Sequence, residues 1–244
     1  MVMKAVIFDI GGVVVRSPMI GIAKYEKEHG LPPNYINSII ANQGAHGAFQ
    51  KFERGEITLF PFYEAFSREL SHPQGKEWYK QYCNKKNITY PSLPDVVKID
   101  GRELFGRMMR ESNFYDPLVV EAIRRIRATG KYRVIALTNN FARSEDSILA
   151  DAPPGTSVKK ELEFLGWKQG ATPPKMKALF DDFCDSSTLG LRKPDPAFYL
   201  LACKRNNVQP NEAVFLDDIG YNLKAARELG METIRKLISM DMMG

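Results

Sequence analysis

Ala5-Val6-Ile7-Phe8-Asp9-Ile10-Gly11-Gly12 runs four apolar residues straight into a carboxylate and a pair of glycines. A strand buried on both faces of a parallel sheet shows no polar alternation, so a short unbroken apolar run closed by turn formers is its mark. Three more runs share the form: 132–137, followed by Thr138-Asn139-Asn140; 213–216, followed by Asp217-Asp218; and a weaker one at 231–234. Phe183-Cys184, ahead of Asp185-Ser186-Ser187, is a further candidate. Helical patterns alternate with these runs. The stretch 117–129 spaces Val119, Val120, Ile123 and Ile126 along one face, with Gly130 where a C-terminal cap belongs. The stretches 196–204 and 222–229 read the same way. Strands alternating with helices predict an α/β protein with a Rossmann-like parallel sheet.

Between the first two strands lies the segment 16–111, far longer than an ordinary βα connection. Helix-like stretches at 21–30, 35–41, 59–70, 75–84 and 93–111 predict a small helical domain over the site, with 1–15 and 112–244 forming the core. A second insertion, 143–174, carries Pro153-Pro154-Gly155 and Pro173-Pro174 and reads as an irregular excursion. No apolar run approaches the roughly 20 residues that span a bilayer. Asp9 falls where the apolar segment of a leader would lie. A cytoplasmic chain is expected. Thirty-four basic residues against 29 acidic leave a net charge of +5, an excess that suits anionic substrates but is too dispersed to indicate nucleic acid. Cys83, Cys184 and Cys203 stand far apart with no CxxC pair, which argues against a disulfide framework and a zinc site. Oligomeric state has no signature in the pattern.

In open α/β sheets, ligands bind beyond the carboxyl ends of the strands, where the strand order reverses. Asp9, Thr138-Asn139 and Asp217-Asp218 each follow an apolar run, and Lys193 stands in Arg192-Lys193-Pro194-Asp195-Pro196 just before a helix. Singly, each has an ordinary explanation as a turn former, N-cap or loop residue. Together they bring carboxylates, a hydroxyl, an amide and an ammonium to one edge of the sheet.

These segments resemble the motifs of the haloacid dehalogenase (HAD) superfamily: VIFDIGGVV the first, ALTNN the second, GLRKPDP the third and VFLDD the fourth. SSTLGLRKPDPAFY and FLDDIGYNLKAARELGMETI are similar also to the N-terminal phosphatase domains of soluble epoxide hydrolases and to related domains of some acyl-CoA dehydrogenases. FERGEITLFPFYEAF carries the likeness into the inserted segment. The resemblance implies the HAD fold, a helical cap, and a Mg²⁺-dependent phosphatase acting on a small phosphorylated metabolite, a sugar or lipid phosphate. In that reading Asp9 is the nucleophile that forms an aspartyl-phosphate. Asp9, the Gly11 carbonyl and Asp217 hold Mg²⁺, with Asp218 acting through water. Lys193 neutralises charge on Asp9 and on the phosphoryl oxygens. Thr138, the Asn139 amide and the amides of Gly11 and Gly12 bind those oxygens.

Gly11 departs from the family pattern. Phosphatases of the superfamily usually carry Asp there, to protonate the leaving group and later activate water. Its absence leaves two other readings open: a catalytically weak or inactive HAD-like binding protein, or a metal-independent haloacid dehalogenase, against which the Asp217-Asp218 pair counts. His46 and Glu53 are candidates to replace the missing acid.

Overall fold

The computed structural model describes residues 2–141 and 150–237, so residues 143–149 of the second insertion lie outside the described residues. Five strands form one parallel sheet: β1 (Ala5–Phe8), β2 (Arg133–Thr138), β3 (Asp182–Asp185), β4 (Ala213–Asp217) and β5 (Glu232–Arg235), in the order β3-β2-β1-β4-β5. The chain lays β2 and β3 on one side of β1, then crosses to lay β4 and β5 on the other. The order therefore reverses at β1, where a crevice opens at the carboxyl end. Register pairs Phe8 with Ala136 on one side and with Leu216 on the other. Asp9 and Asp217 consequently leave the sheet side by side. The core is α/β and Rossmann-like, as the alternation of runs predicts.

The segment after β1 folds as α1 (Met19–Glu28), α2 (Tyr35–Asn42), α3 (Ala48–Glu53), α4 (Leu59–Leu70), α5 (Gln74–Lys86) and α6 (Gly101–Glu111). Their apolar faces meet in one cluster that includes Ile22, Tyr35, Phe52, Phe62, Phe66 and Phe105. The helix expected over 93–111 is shorter. Pro91 and Pro94 disfavour helix before it, and Asp100 starts it by accepting from the Glu103 amide at 3.0 Å.

The sheet lies between two further layers. Ala5, Ile7, Ile135, Leu137 and Phe215 pack on one side, while Phe8, Val134 and Ala136 pack on the other, as the two-residue pleat requires. On the second side lies α7 (Pro117–Ala128), which buries Val120 and Ile123 and is capped by Asp116. The second insertion is less irregular than its prolines suggest. It contains α8 (Val158–Leu165), capped by Ser157 and stopped by Gly166 in the left-handed conformation. Leu165 and Trp167 enter the apolar cluster of α1–α6, and the buried Glu161 carboxylate accepts from Tyr63 and Arg102. There follow α9 (Pro174–Lys177), α10 (Ser186–Leu189), α11 (Pro196–Arg205) and α12 (Gly220–Glu228). On the first side α11 buries Phe198, Tyr199 and Ala202, and α12 buries Leu223 and Ala226. Strand β5, whose run is the weakest in the sequence, is an edge strand with mostly exposed residues. Among the described residues no helix is long and apolar enough to cross a membrane. Cys83, Cys184 and Cys203 are buried free thiols.

Candidate functional site

The Asp9 carboxylate at the end of β1 and the Asp217 carboxylate at the end of β4 share one cation. Lys193 Nζ lies 2.8 Å from Asp9 Oδ1 and 2.8 Å from Asp217 Oδ2. The lysine is 1% exposed, a position an ammonium occupies only when paired. Its backbone is held as well. The Asn139 side chain accepts from the Lys193 amide at 2.8 Å and donates to the Lys193 carbonyl at 3.1 Å.

Asp217 is oriented from the first turn of α12. Asn222 Nδ2 donates to Oδ2 at 2.9 Å, and the Ile219 amide donates to Oδ1 at 2.7 Å. Asp218 is held less firmly, with Ser17 Oγ 3.5 Å from Oδ2. Gly12 makes room for it. At φ 81° this glycine is left-handed, and a β-carbon there would collide with the Asp218 carboxylate. Gly11 is not in the left-handed region, and a β-carbon there would meet Pro18 Cδ at 3.3 Å.

Oxygen atoms of Asp9, Asp217 and Asp218 lie within 4.8 Å of one another. The Asp9 carboxyl is raised to about 8 by all its surroundings together, burial being the largest cause. The Lys193 ammonium pulls it down, and the Asp217 and Asp218 charges push it further up. Burial, and then the Asp217 charge, push Asp218 up to about 6. Burial alone would lower the Lys193 ammonium, but the Asp9 and Asp217 carboxylates outweigh it and hold the group above its ordinary range. Three carboxylates thus face one ammonium, and Asp218 Oδ1 is buried without a hydrogen-bond partner among the described residues. Hard oxygen donors with surplus negative charge and one unsatisfied acceptor fit Mg²⁺.

A cleft of about 810 Å³ opens over this cluster. Asp9, Gly11, Asn139, Lys193 and Asp218 line it from the sheet side, and Met19, Phe49, Gln50 and Glu53 from the helical segment. Thr138 is buried at the end of β2, and its hydroxyl donates to the Asn139 carbonyl over 3.4 Å. It lines a smaller adjoining cavity of about 100 Å³ with Gly11, Asn139, Phe141 and Trp167. His46 is exposed and does not line the cleft. Glu53 does, 5% exposed and paired with Arg192.

Sequence reasoning misses two side chains here: that of Asn222, and that of Asn139, where it points to the backbone amide alone. Asn222 carries a usable signal, a polar residue in the first helical turn after a strand-end carboxylate. The clamp made by Asn139 carries none, because it joins positions 54 residues apart.

A family model for haloacid dehalogenase-like hydrolases matches residues 3–230. Acyl-CoA dehydrogenase family member 10 of Mus musculus is 31% identical over 232 residues, which are 95% of this chain but 18% of that protein. This chain therefore spans less than a fifth of that relative. The D-ribitol-5-phosphate phosphatase of Bacteroides thetaiotaomicron is 23% identical, over 95% of this chain and 91% of its own. The (S)-2-haloacid dehalogenase 4A of Burkholderia cepacia is 34% identical, over 69% of this chain and 65% of its own. Among solved structures, a HAD-family enzyme of Bacteroides thetaiotaomicron covers 99% of this chain and 97% of its own, with a TM-score of 0.55 at 18% identity. That likeness is one of fold. The family match runs from the strand before Asp9 past Asp217-Asp218 and takes in every element around the acidic cleft, so the chain belongs to the haloacid dehalogenase-like hydrolase family.

Proposed function

We propose that the chain hydrolyses phosphomonoesters, with Mg²⁺ as cofactor and Asp9 as nucleophile. The observation that carries this reading is the surplus of buried negative charge around Lys193, with Asp218 Oδ1 lacking a donor. Asp9, Asp217, Asp218 and the Gly11 carbonyl would hold the ion, which when bound supplies positive charge to offset the carboxylates and an incoming phosphoryl group. Asp9 attacks phosphorus and the alcohol leaves; water then releases phosphate from the aspartyl-phosphate. Lys193 shields the phosphoryl oxygens from the Asp9 charge. Thr138, the Asn139 amide and the amides of Gly11 and Gly12 bind the same oxygens. Asn222 and the Ile219 amide keep Asp217 in place.

Residues 16–111 act as a cap on a core formed by 1–15 and 112–244. The apolar cluster built mainly from that segment, which Phe141, Leu165 and Trp167 join from the core range, and the mixed lining of the cleft support this division. The cleft volume suits a small phosphorylated metabolite, a sugar or lipid phosphate, and the likeness to a sugar-alcohol phosphatase supports the reaction class. Three free buried thiols suit a cytoplasmic setting.

Gly11 and the likeness to a haloacid dehalogenase favour a second reading, displacement of halide by Asp9 without metal. The Asp217-Asp218 pair counts against it. Phosphate release from a panel of phosphomonoesters, in Mg²⁺ and in EDTA, set beside halide release from a 2-haloacid, separates the two. The expected outcome is Mg²⁺-dependent phosphate release that Asp9→Asn abolishes and Asp217→Ala sharply reduces. Halide release in EDTA, with no phosphate release in either buffer, overturns the proposal.

A further inference from the structure

Gly11 leaves the leaving-group oxygen without the carboxylate that phosphatases of this kind place two residues after the nucleophile, yet another carboxylate lines the same cleft. Glu53 ends α3, on the opposite wall from the strand-end cluster. Three contacts fix it. Its backbone carbonyl accepts from Ser186 Oγ at 2.5 Å. Arg192, the neighbour of Lys193, grips its carboxylate through Nε at 2.7 Å and Nη2 at 2.6 Å. Both guanidinium contacts fall on Oε2, which leaves Oε1 outside the fork. A buried carboxylate held by one oxygen and lining the cleft is preorganised for proton transfer through the other.

We infer that Glu53 is the proton-handling residue of this site, taking the role that Gly11 cannot fill; this rests on the phosphatase reading above. In the first half-reaction an Asp9 oxygen bonds to phosphorus as the bond from phosphorus to the leaving oxygen breaks. The electron pair stays on that oxygen, which takes the proton from Glu53. In the second half-reaction the Glu53 carboxylate takes a proton from water as the water oxygen bonds to phosphorus and the Asp9 carboxylate is released. One ester and one water enter; one alcohol and one phosphate leave, and Glu53 ends protonated as it began. Burial raises the Glu53 carboxyl, with Arg192 and then Lys193 and Arg54 opposing, which favours a group able to hold a proton.

The test compares p-nitrophenyl, phenyl and benzyl phosphate in Mg²⁺, a series in which the leaving group needs protonation increasingly. Glu53→Gln keeps an acceptor for Arg192 but has no acidic proton to transfer. It should lower kcat/KM for benzyl phosphate by about 10²- to 10⁴-fold and that for p-nitrophenyl phosphate by less than about tenfold. A purely structural role would lower all three by the same factor, and that result overturns the inference. A second variant does not depend on Glu53→Gln folding. With Glu53 in place, Gly11→Asp should raise benzyl phosphate turnover by no more than about threefold. A larger gain means that no acid was present, and also overturns it. Should the wild-type chain release phosphate from none of the three esters, the phosphatase reading itself fails and this role falls with it.

Discussion

At position 12 the chain turns through a left-handed residue whose missing β-carbon makes room for the Asp218 carboxylate. Gly12→Ala therefore meets both a backbone penalty and a collision with a side chain of the acidic cluster. It should cost about 1–3 kcal/mol of stability in urea unfolding and abolish Mg²⁺-dependent turnover. A Gly12→Ala chain of full stability and activity would mean that Asp218 can move aside freely. Asn139→Ala removes two hydrogen bonds that fix the Lys193 backbone. A loss of about 1–3 kcal/mol is expected, together with a lower kcat, since the ammonium between Asp9 and Asp217 loses its support. Unchanged kcat and unfolding midpoint would dismiss the clamp. The meeting of Asp9, Lys193 and Asp217 at one sheet edge was legible because strand ends and a loop before a helix are places that sequence periodicity marks. Glu53 could be named only as a candidate. Its pairing with Arg192 joins positions 139 residues apart, a distance that no local pattern spans.

The helices divide by length in how well they could be read. The stretch 59–70 shows its apolar face over three turns and was delimited to the residue. Helix α3 has six residues among Gly44, Gly47 and Gly55, too few to display a period. Helix α8 lay hidden between diproline stretches, although Ser157, Leu162, Leu165 and Gly166 spell a capped amphipathic turn. Its packing makes a test. Leu165 is 0% exposed within the cluster built by α1–α6. Leu165→Ala should cost about 2–5 kcal/mol in urea unfolding. A cost within about 0.5 kcal/mol, the range of an ordinary surface substitution, would show that α8 is not part of that core.

Across the whole molecule, buried charge links stability to pH. The Asp9 carboxyl near 8 and the Asp218 carboxyl near 6 both lie above the ordinary aspartate value of 3.8. The folded, metal-free chain therefore binds more protons than the unfolded chain between about pH 4 and 8. The stability that these two groups contribute is greatest at the acid end of that window and falls as pH rises through it. Mg²⁺ competes with those protons, so the stabilisation it gives should grow with pH. Thermal unfolding in EDTA and in millimolar Mg²⁺, at pH 5 and pH 8, checks this: the Mg²⁺-induced rise in Tm should be several degrees larger at pH 8. Equal rises at the two pH values would place the ion elsewhere.

The pairing of β1 with β4 carries hydrogen bonding up to Asp9, the proposed nucleophile, since its amide donates to the Leu216 carbonyl at 2.9 Å. In deuterated solvent this amide should exchange among the slowest in the chain, because only opening of the central strands exposes it. Local opening of helices α1–α6 would leave the spacing between Asp9 and Asp217 as the ladder sets it. Reaction geometry would persist through such local fluctuations and be lost only when the central sheet opens.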